Sequence, residues 1–128
     1  MARILIVEDN ADIVSLLERL LKMHGAHTVL VATDGEQGLK LAKSERPDLI
    51  ILDLNLPKLH GHEVCEQVKS DPRTQKTKVL MLSAAYTSTD DRDRGLARGA
   101  DAYLTKPFLH TPFLDAVTSL VGRGDARR

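Results

Sequence analysis

The chain has 128 residues, 42% of them hydrophobic and 28% charged, with 18 basic and 18 acidic side chains and a formal net charge of zero. Such a length fits one domain with a full core, the even charge gives no general pull toward nucleic acid or an anionic membrane, and an aromatic share of 3% leaves no stacking platform for single strands. Cys65 is the sole cysteine and no apolar run reaches the length of a bilayer span or a signal-peptide core, so a cytoplasmic domain without disulfides or membrane contact is expected.

Short β-branched runs alternate with helix-period segments along the whole chain. Residues 3–7 read as a strand that Glu8-Asp9 ends. Over residues 11–24, Ile13, Leu16, Leu17, Leu20 and Met23 recur at helical spacing, with Asn10 or Asp12 as cap and His24-Gly25 as the stop. Residues 27–32 form a second strand. Asp34-Gly35 opens a second helix with Leu39 and Ala42 inward and Pro47 beyond its end. Residues 48–52 are apolar almost throughout, as in a strand covered on both faces. A third helix runs from about His62 to Lys69 and buries Val64, Cys65 and Val68.

A polar loop, Ser70 to Thr74, leads to a fourth strand at 78–82. A fourth helix is expected between Ser88 and Arg98, with a thin apolar stripe of Leu96 and Ala97, ended by Gly99. Residues 102–105 are a fifth strand. Thr111-Pro112 starts a fifth helix, Thr as cap and Pro at the first position, with Phe113, Leu114, Val117, Leu120 and Val121 inward. Five strands alternating with five helices predict one doubly wound α/β domain over residues 1–122, a (βα)5 unit with helices on both faces of a parallel sheet. Residues 123–128 are a polar tail or linker.

In such a sheet, ligands bind in the crevice outside the carboxyl ends of the strands. There the sequence places Glu8-Asp9 after strand one, Asp53 after strand three, Ser83-Ala84 after strand four and Lys106-Pro107 after strand five. Three clustered carboxylates repel one another and favour a hard divalent cation between them. The lysine implies that an anion also visits, and metal, anion and carboxylate together indicate phosphoryl chemistry. Any one of these acids alone would read as a solvated loop residue or a helix cap. No glycine-rich phosphate cradle follows strand one, where Asp9-Asn10-Ala11 stands instead, which argues against a dinucleotide enzyme or a P-loop nucleotidase. His24, His27, His60, His62 and His110 show no zinc spacing with Cys65.

The strand-end set, in order and spacing from about Ala2 to Val121, resembles the receiver domain of two-component response regulators, including chemotaxis regulators. The strings Ile6-Val7-Glu8-Asp9-Asn10, Asp53-Leu54-Asn55-Leu56-Pro57 and Gly99-Ala100-Asp101-Ala102-Tyr103-Leu104-Thr105-Lys106-Pro107-Phe108 carry the likeness. The resemblance implies a flavodoxin-like strand order 2-1-3-4-5. It implies Asp53 as phosphoacceptor from a sensor histidine kinase or a histidine phosphotransfer protein. It implies Mg²⁺, with Mn²⁺ as an alternative, on Asp9, Asp53 and the Asn55 carbonyl, with Glu8 acting through a metal-bound water. Lys106, Ser83 and the Asn55 and Ala84 amides would hold the phosphoryl oxygens, and a cis peptide before Pro107 would place the lysine. Ser83 and Tyr103 would relay phosphorylation to the surface of the fourth helix, fifth strand and fifth helix, where a downstream protein, an attached output domain or a phosphorylation-dependent dimer partner would read it. The domain itself would not bind nucleic acid.

His60 before Gly61, Ala102 beside Asp101, Ala85 two residues after Ser83 and a fifth helix without the usual arginines depart from the family's common pattern. The competing readings are a Mg²⁺-dependent phosphohydrolase of the haloacid-dehalogenase type and a degenerate receiver serving as a binding module. The former normally carries its nucleophile on the first strand beneath a cap domain; here the candidate ends strand three and no residues remain for a cap. The latter is disfavoured by Glu8, Asp9, Asp53, Ser83 and Lys106 all standing in place. The expected protein is a regulatory switch that catalyses only its own phosphorylation and dephosphorylation.

Overall fold

The computed structural model describes residues 2–54, 56, 59–83, 99–105 and 110–122. Five strands, β1 (Arg3–Val7), β2 (Thr28–Ala32), β3 (Leu49–Asp53), β4 (Lys78–Ser83) and β5 (Ala102–Thr105), pair in parallel in the order β2-β1-β3-β4-β5. Among the described residues there are four helices: α1 (Ala11–His24), α2 (Gly35–Glu45), α3 (Gly61–Ser70) and α4 (His110–Val121). The doubly wound fold and strand order expected from the sequence are those observed. The expected helix between Ser88 and Arg98 lies outside the described residues.

Alternation along the strands sends side chains to opposite faces. Leu5, Val7, Ile50, Leu52, Val79 and Met81 pack with Ala42 of α2 and Val64, Cys65 and Val68 of α3. Ile4, Ile6, Leu49, Ile51, Leu80 and Leu82 pack with Leu17, Leu20 and Leu21 of α1 and with Phe113 and Val117 of α4. β3, at the centre, is buried at every position. It therefore reads as a continuous apolar run rather than an alternating one.

Most boundaries fall within a residue of expectation, and the differences have local causes. Asn10, not Asp12, caps α1: its Oδ1 accepts from the backbone N–H of Asp12 at 2.9 Å and of Ile13 at 3.2 Å. The inner stripe of α1 is Leu17, Leu20 and Leu21, while Met23 is 72% exposed. Leu17 and Leu20 of the expected stripe are buried and Ile13 and Leu16 pack against the same cluster, while Leu21 takes the inward place expected of Met23. α4 begins at His110, so Thr111 and Pro112 lie within its first turn. Proline is accommodated there because the first N–H groups of a helix have no intrahelical acceptor. β4 runs one residue further than expected, to Ser83, because the ladder with β5 continues there, Ser83 opposite Thr105. No helix among the described residues is long and apolar enough to cross a membrane.

Candidate functional site at the carboxyl edge of the sheet

The site is built where β1, β3 and β4 end side by side. The β1–β2 ladder extends past Val7, the N–H of Glu8 donating to the Ala32 carbonyl at 3.0 Å. Two residues later Asn10 caps α1, and its own N–H donates to Glu8 Oε2 at 3.2 Å. Glu8 and Asp9 are thus held between a ladder bond and a helix cap, with little freedom to withdraw. Asp53 closes β3, and the next residue is fixed twice: the Leu54 N–H donates to the Leu82 carbonyl at 2.8 Å, and its carbonyl accepts from Gly61 N–H at 3.0 Å.

The carboxylates of Glu8, Asp9 and Asp53 offer oxygens that all lie within 4.8 Å of one another. Glu8 and Asp53 are buried and Asp9 is exposed. Two partly desolvated anions and a third at their rim form a strongly electronegative point. The all-oxygen donor set and its open side suit a hard divalent cation such as Mg²⁺, which retains waters and needs few protein ligands. Ser83, wholly buried at the end of β4, presents a hydroxyl that has no hydrogen-bond partner among the described residues. β3 lies beside β4 in the sheet, Asp53 opposite Leu82. Tyr103, opposite Met81 on β5, is half-buried against the α2–α3 side of the core. Its hydroxyl is likewise buried without a partner among the described residues. Asn55, Ala84, Lys106 and Pro107 fall outside the described residues, as does Ala85.

Residues outside the predicted site complete the scaffold. His60 is the N-cap of α3, its Nδ1 accepting from the His62 N–H at 3.2 Å. Gly61 follows, and a Cβ there would lie 2.7 Å from the Asp53 carbonyl oxygen and 2.8 Å from Leu54 Cα. Only glycine lets the start of α3 press on the backbone that carries Asp53. The signal was legible in principle: a cap-competent side chain followed by glycine just ahead of a helical run. At the other end of α3, Lys69 Nζ pairs with Asp101 Oδ2 at 2.8 Å and donates to the Thr77 carbonyl at 2.7 Å. Asp101 Oδ2 also accepts from Val79 N–H at 2.8 Å, so a single pair ties α3 to the starts of β4 and β5.

An acidic cluster, a buried hydroxyl on the next strand and a 2-1-3-4-5 parallel sheet together match what comparison with known proteins finds. The sequence model for the response regulator receiver domain matches residues 4–118. The chain belongs to the response regulator receiver domain family. It is 44% identical over 125 residues to the DNA-binding dual master transcriptional regulator RpaA of Synechocystis sp., covering 98% of this chain and 51% of that protein. This receiver spans about half the length of the curated relatives it matches. Among solved structures it resembles chemotaxis protein CheY4 of Vibrio cholerae, with a TM-score of 0.84, 32% identity and coverage of 94% of this chain and 99% of that one. It also resembles the receiver domain of a sensor histidine kinase from Pseudomonas aeruginosa, with a TM-score of 0.84, 28% identity and coverage of 94% and 98%. That structure carries a magnesium ion coordinated in its active-site cleft. Receiver domains of this family are switches of two-component signalling.

Proposed function

We propose that this receiver, residues 1–122, takes a phosphoryl group onto Asp53 from the phosphohistidine of a sensor kinase or a phosphotransfer protein. A carboxylate oxygen of Asp53 attacks the phosphorus, a P–O bond forms, and the P–N bond to the donor imidazole breaks. The electron pair returns to that imidazole nitrogen, which takes up a proton. The convergence of Glu8, Asp9 and Asp53 within 4.8 Å at one strand edge carries this reading. Asp9, Asp53 and the Asn55 carbonyl would hold Mg²⁺ or Mn²⁺, with Glu8 reached through a water. The bound cation supplies positive charge that offsets repulsion between an anionic nucleophile and an anionic phosphoryl group. Lys106, the Ser83 hydroxyl and the Asn55 and Ala84 amides would receive the phosphoryl oxygens, Lys106 being placed by a cis peptide before Pro107.

The buried Ser83 hydroxyl supports a relay. Donating it to a phosphoryl oxygen would satisfy a group that is costly to leave unpaired. Its movement would open space for Tyr103 to turn inward and alter the β5–α4 surface. A downstream protein, an attached output domain or a second phosphorylated copy would read that surface. Slow hydrolysis of the acyl phosphate by the same site would reset it, without turnover of a metabolite. A cytoplasmic location fits a phosphoryl donor of this kind. The test is intact mass after incubation with acetyl phosphate and Mg²⁺. One added phosphoryl group is expected in the wild type and none in a folded Asp53→Asn variant. Equal labelling of both would remove Asp53 from the role.

A further inference from the structure

Opposite the acidic cluster, where the strands begin, two histidines join three elements. His24 ends α1 and His27 precedes β2. The Ala2 N–H donates to His27 Nδ1 at 3.1 Å. His27 Nε2 lies 2.8 Å from His24 Nδ1, and His24 Nε2 lies 2.8 Å from Thr118 Oγ1 on α4. The rings are stacked, with centroids 5.1 Å apart.

One fixed donor sets every proton in this chain. A peptide N–H can only donate, so His27 Nδ1 must be the bare acceptor and the neutral ring carries its proton on Nε2. That proton points at His24 Nδ1, which must also be bare. The His24 proton therefore sits on Nε2 and is donated to Thr118. All the links are made only when both rings are neutral. A proton added to His27 faces the Ala2 N–H, and one added to His24 faces the His27 N–H. Either addition replaces a hydrogen bond with two opposed donors.

We propose that Ala2, His24 and His27 form a pH-sensitive latch that fastens the amino-terminal residues and the start of β2 to the end of α1, with His24 anchored on Thr118 of α4, and that it opens when either imidazole is protonated. The surroundings favour the closed form at neutral pH. Burial, then the charges of His24 and the amino terminus, hold His27 below its ordinary value, against a smaller upward pull from the backbone hydrogen bond with Ala2. Lys22 and His24 are the basic residues of the last turn of α1. His110 and Asp115 are the titratable side chains of α4. Asp115 lies one turn before Thr118, on the same helix face. β2 begins with the uncharged Thr28, and the Arg3 guanidinium of β1 is engaged by Glu45.

The sign follows. Because the folded state disfavours the proton, the unfolded chain binds more protons below about pH 6.5. The latch is at full strength above that pH and is lost as pH falls through the depressed folded value.

Imidazole ¹⁵N and amide NMR of the whole chain between pH 8 and 5 tests this. The neutral His27 ring is expected as the Nε2–H form, with the two histidines titrating as a coupled pair. The Ala2 amide should shift at the same midpoint. Its exchange, corrected for its intrinsic pH dependence, should rise roughly fivefold, as for one lost hydrogen bond. Thr118→Val, similar in shape but without the acceptor, should leave the histidines coupled and the Ala2 amide still responding. An Nδ1–H ring at His27, independent histidine titrations, or an Ala2 amide silent through the titration would each overturn the latch.

Discussion

Asp53→Asn should make the metal-free domain more stable, although it destroys the proposed function. The carboxylate oxygens of Glu8, Asp9 and Asp53 come within 4.8 Å of one another. Two unit charges at that distance repel by about 3.5 kcal/mol at an effective dielectric of about 20, and by about 1 kcal/mol in a water-like medium. Glu8 and Asp53 are buried, so their pair lies toward the first value; Asp9 is exposed, so its pair with Asp53 lies toward the second. Asparagine keeps the shape and removes both repulsions. The Asn10 N–H donated to Glu8 already offsets part of the charge, so a net gain of about 2 kcal/mol is expected. Urea unfolding in EDTA at neutral pH measures it. Adding Mg²⁺ should then raise the wild type by mass action, by about 2.7 kcal/mol at a hundred times the dissociation constant. The variant should gain much less, so the gap narrows or inverts. Wild type at least as stable as the variant in EDTA, or a gap that ignores Mg²⁺, would refute the argument that these carboxylates form one electrostatic site.

Other perturbations probe the scaffold around it. Asp9→Ala should abolish most of the Mg²⁺-dependent rise in melting temperature, and an undiminished rise would take Asp9 out of the metal's surroundings. Gly61→Ala forces a methyl to within 2.7 Å of the Asp53 carbonyl oxygen. It should cost about 1–3 kcal/mol in urea unfolding and slow phosphorylation; wild-type values for both would show that α3 does not seat the phosphoacceptor. Asp101→Ala removes the acceptor shared by Lys69 and Val79 and should lower stability by about 2 kcal/mol, whereas a loss near zero would make the pair ornamental. The Arg73 guanidinium and N–H hold the Asp71 carboxyl at about 2. The linked stability is present above about pH 4 and is lost as pH falls toward that value. NMR titration of Arg73→Ala should return Asp71 toward the ordinary carboxylate range, and an unmoved titration would exclude the pair as cause.

The sequence made the sheet legible because parallel strands buried on both faces leave apolar runs that end abruptly in acids. Val7 before Glu8-Asp9 and Leu52 before Asp53 mark both the strand and the site. Helix existence was equally plain, but orientation was not. Ile13, Leu16, Leu17 and Leu20 keep the expected side, but Met23 and Leu21 fit the period about equally well, and only packing on the sheet selects Leu21. The cap at Asn10 competed with Asp12 because both side chains can accept from a first-turn N–H; the reach to the Asp12 and Ile13 amides decides it. The polarity of His60-x-His62 marks the helix start, where His60 caps α3, but Gly61 is harder to read. Its role lies in a backbone approach between α3 and the residues after β3, and no periodicity reports a contact of that kind. The Lys69–Asp101 tie is similarly long-range, joining residues whose local sequence suggests only a surface charge and a turn.

The central claim is that one carboxylate, Asp53, receives the phosphoryl group. Treating the phosphorylated chain with borohydride, which reduces an acyl phosphate, and mapping the modified peptide by mass locates it directly. The account predicts a single reduced aspartate at position 53, dependent on Mg²⁺ during labelling and absent when EDTA is present. Modification at Asp9, at a histidine or at a serine, or no modification after incubation with a phosphoryl donor and Mg²⁺, would contradict it.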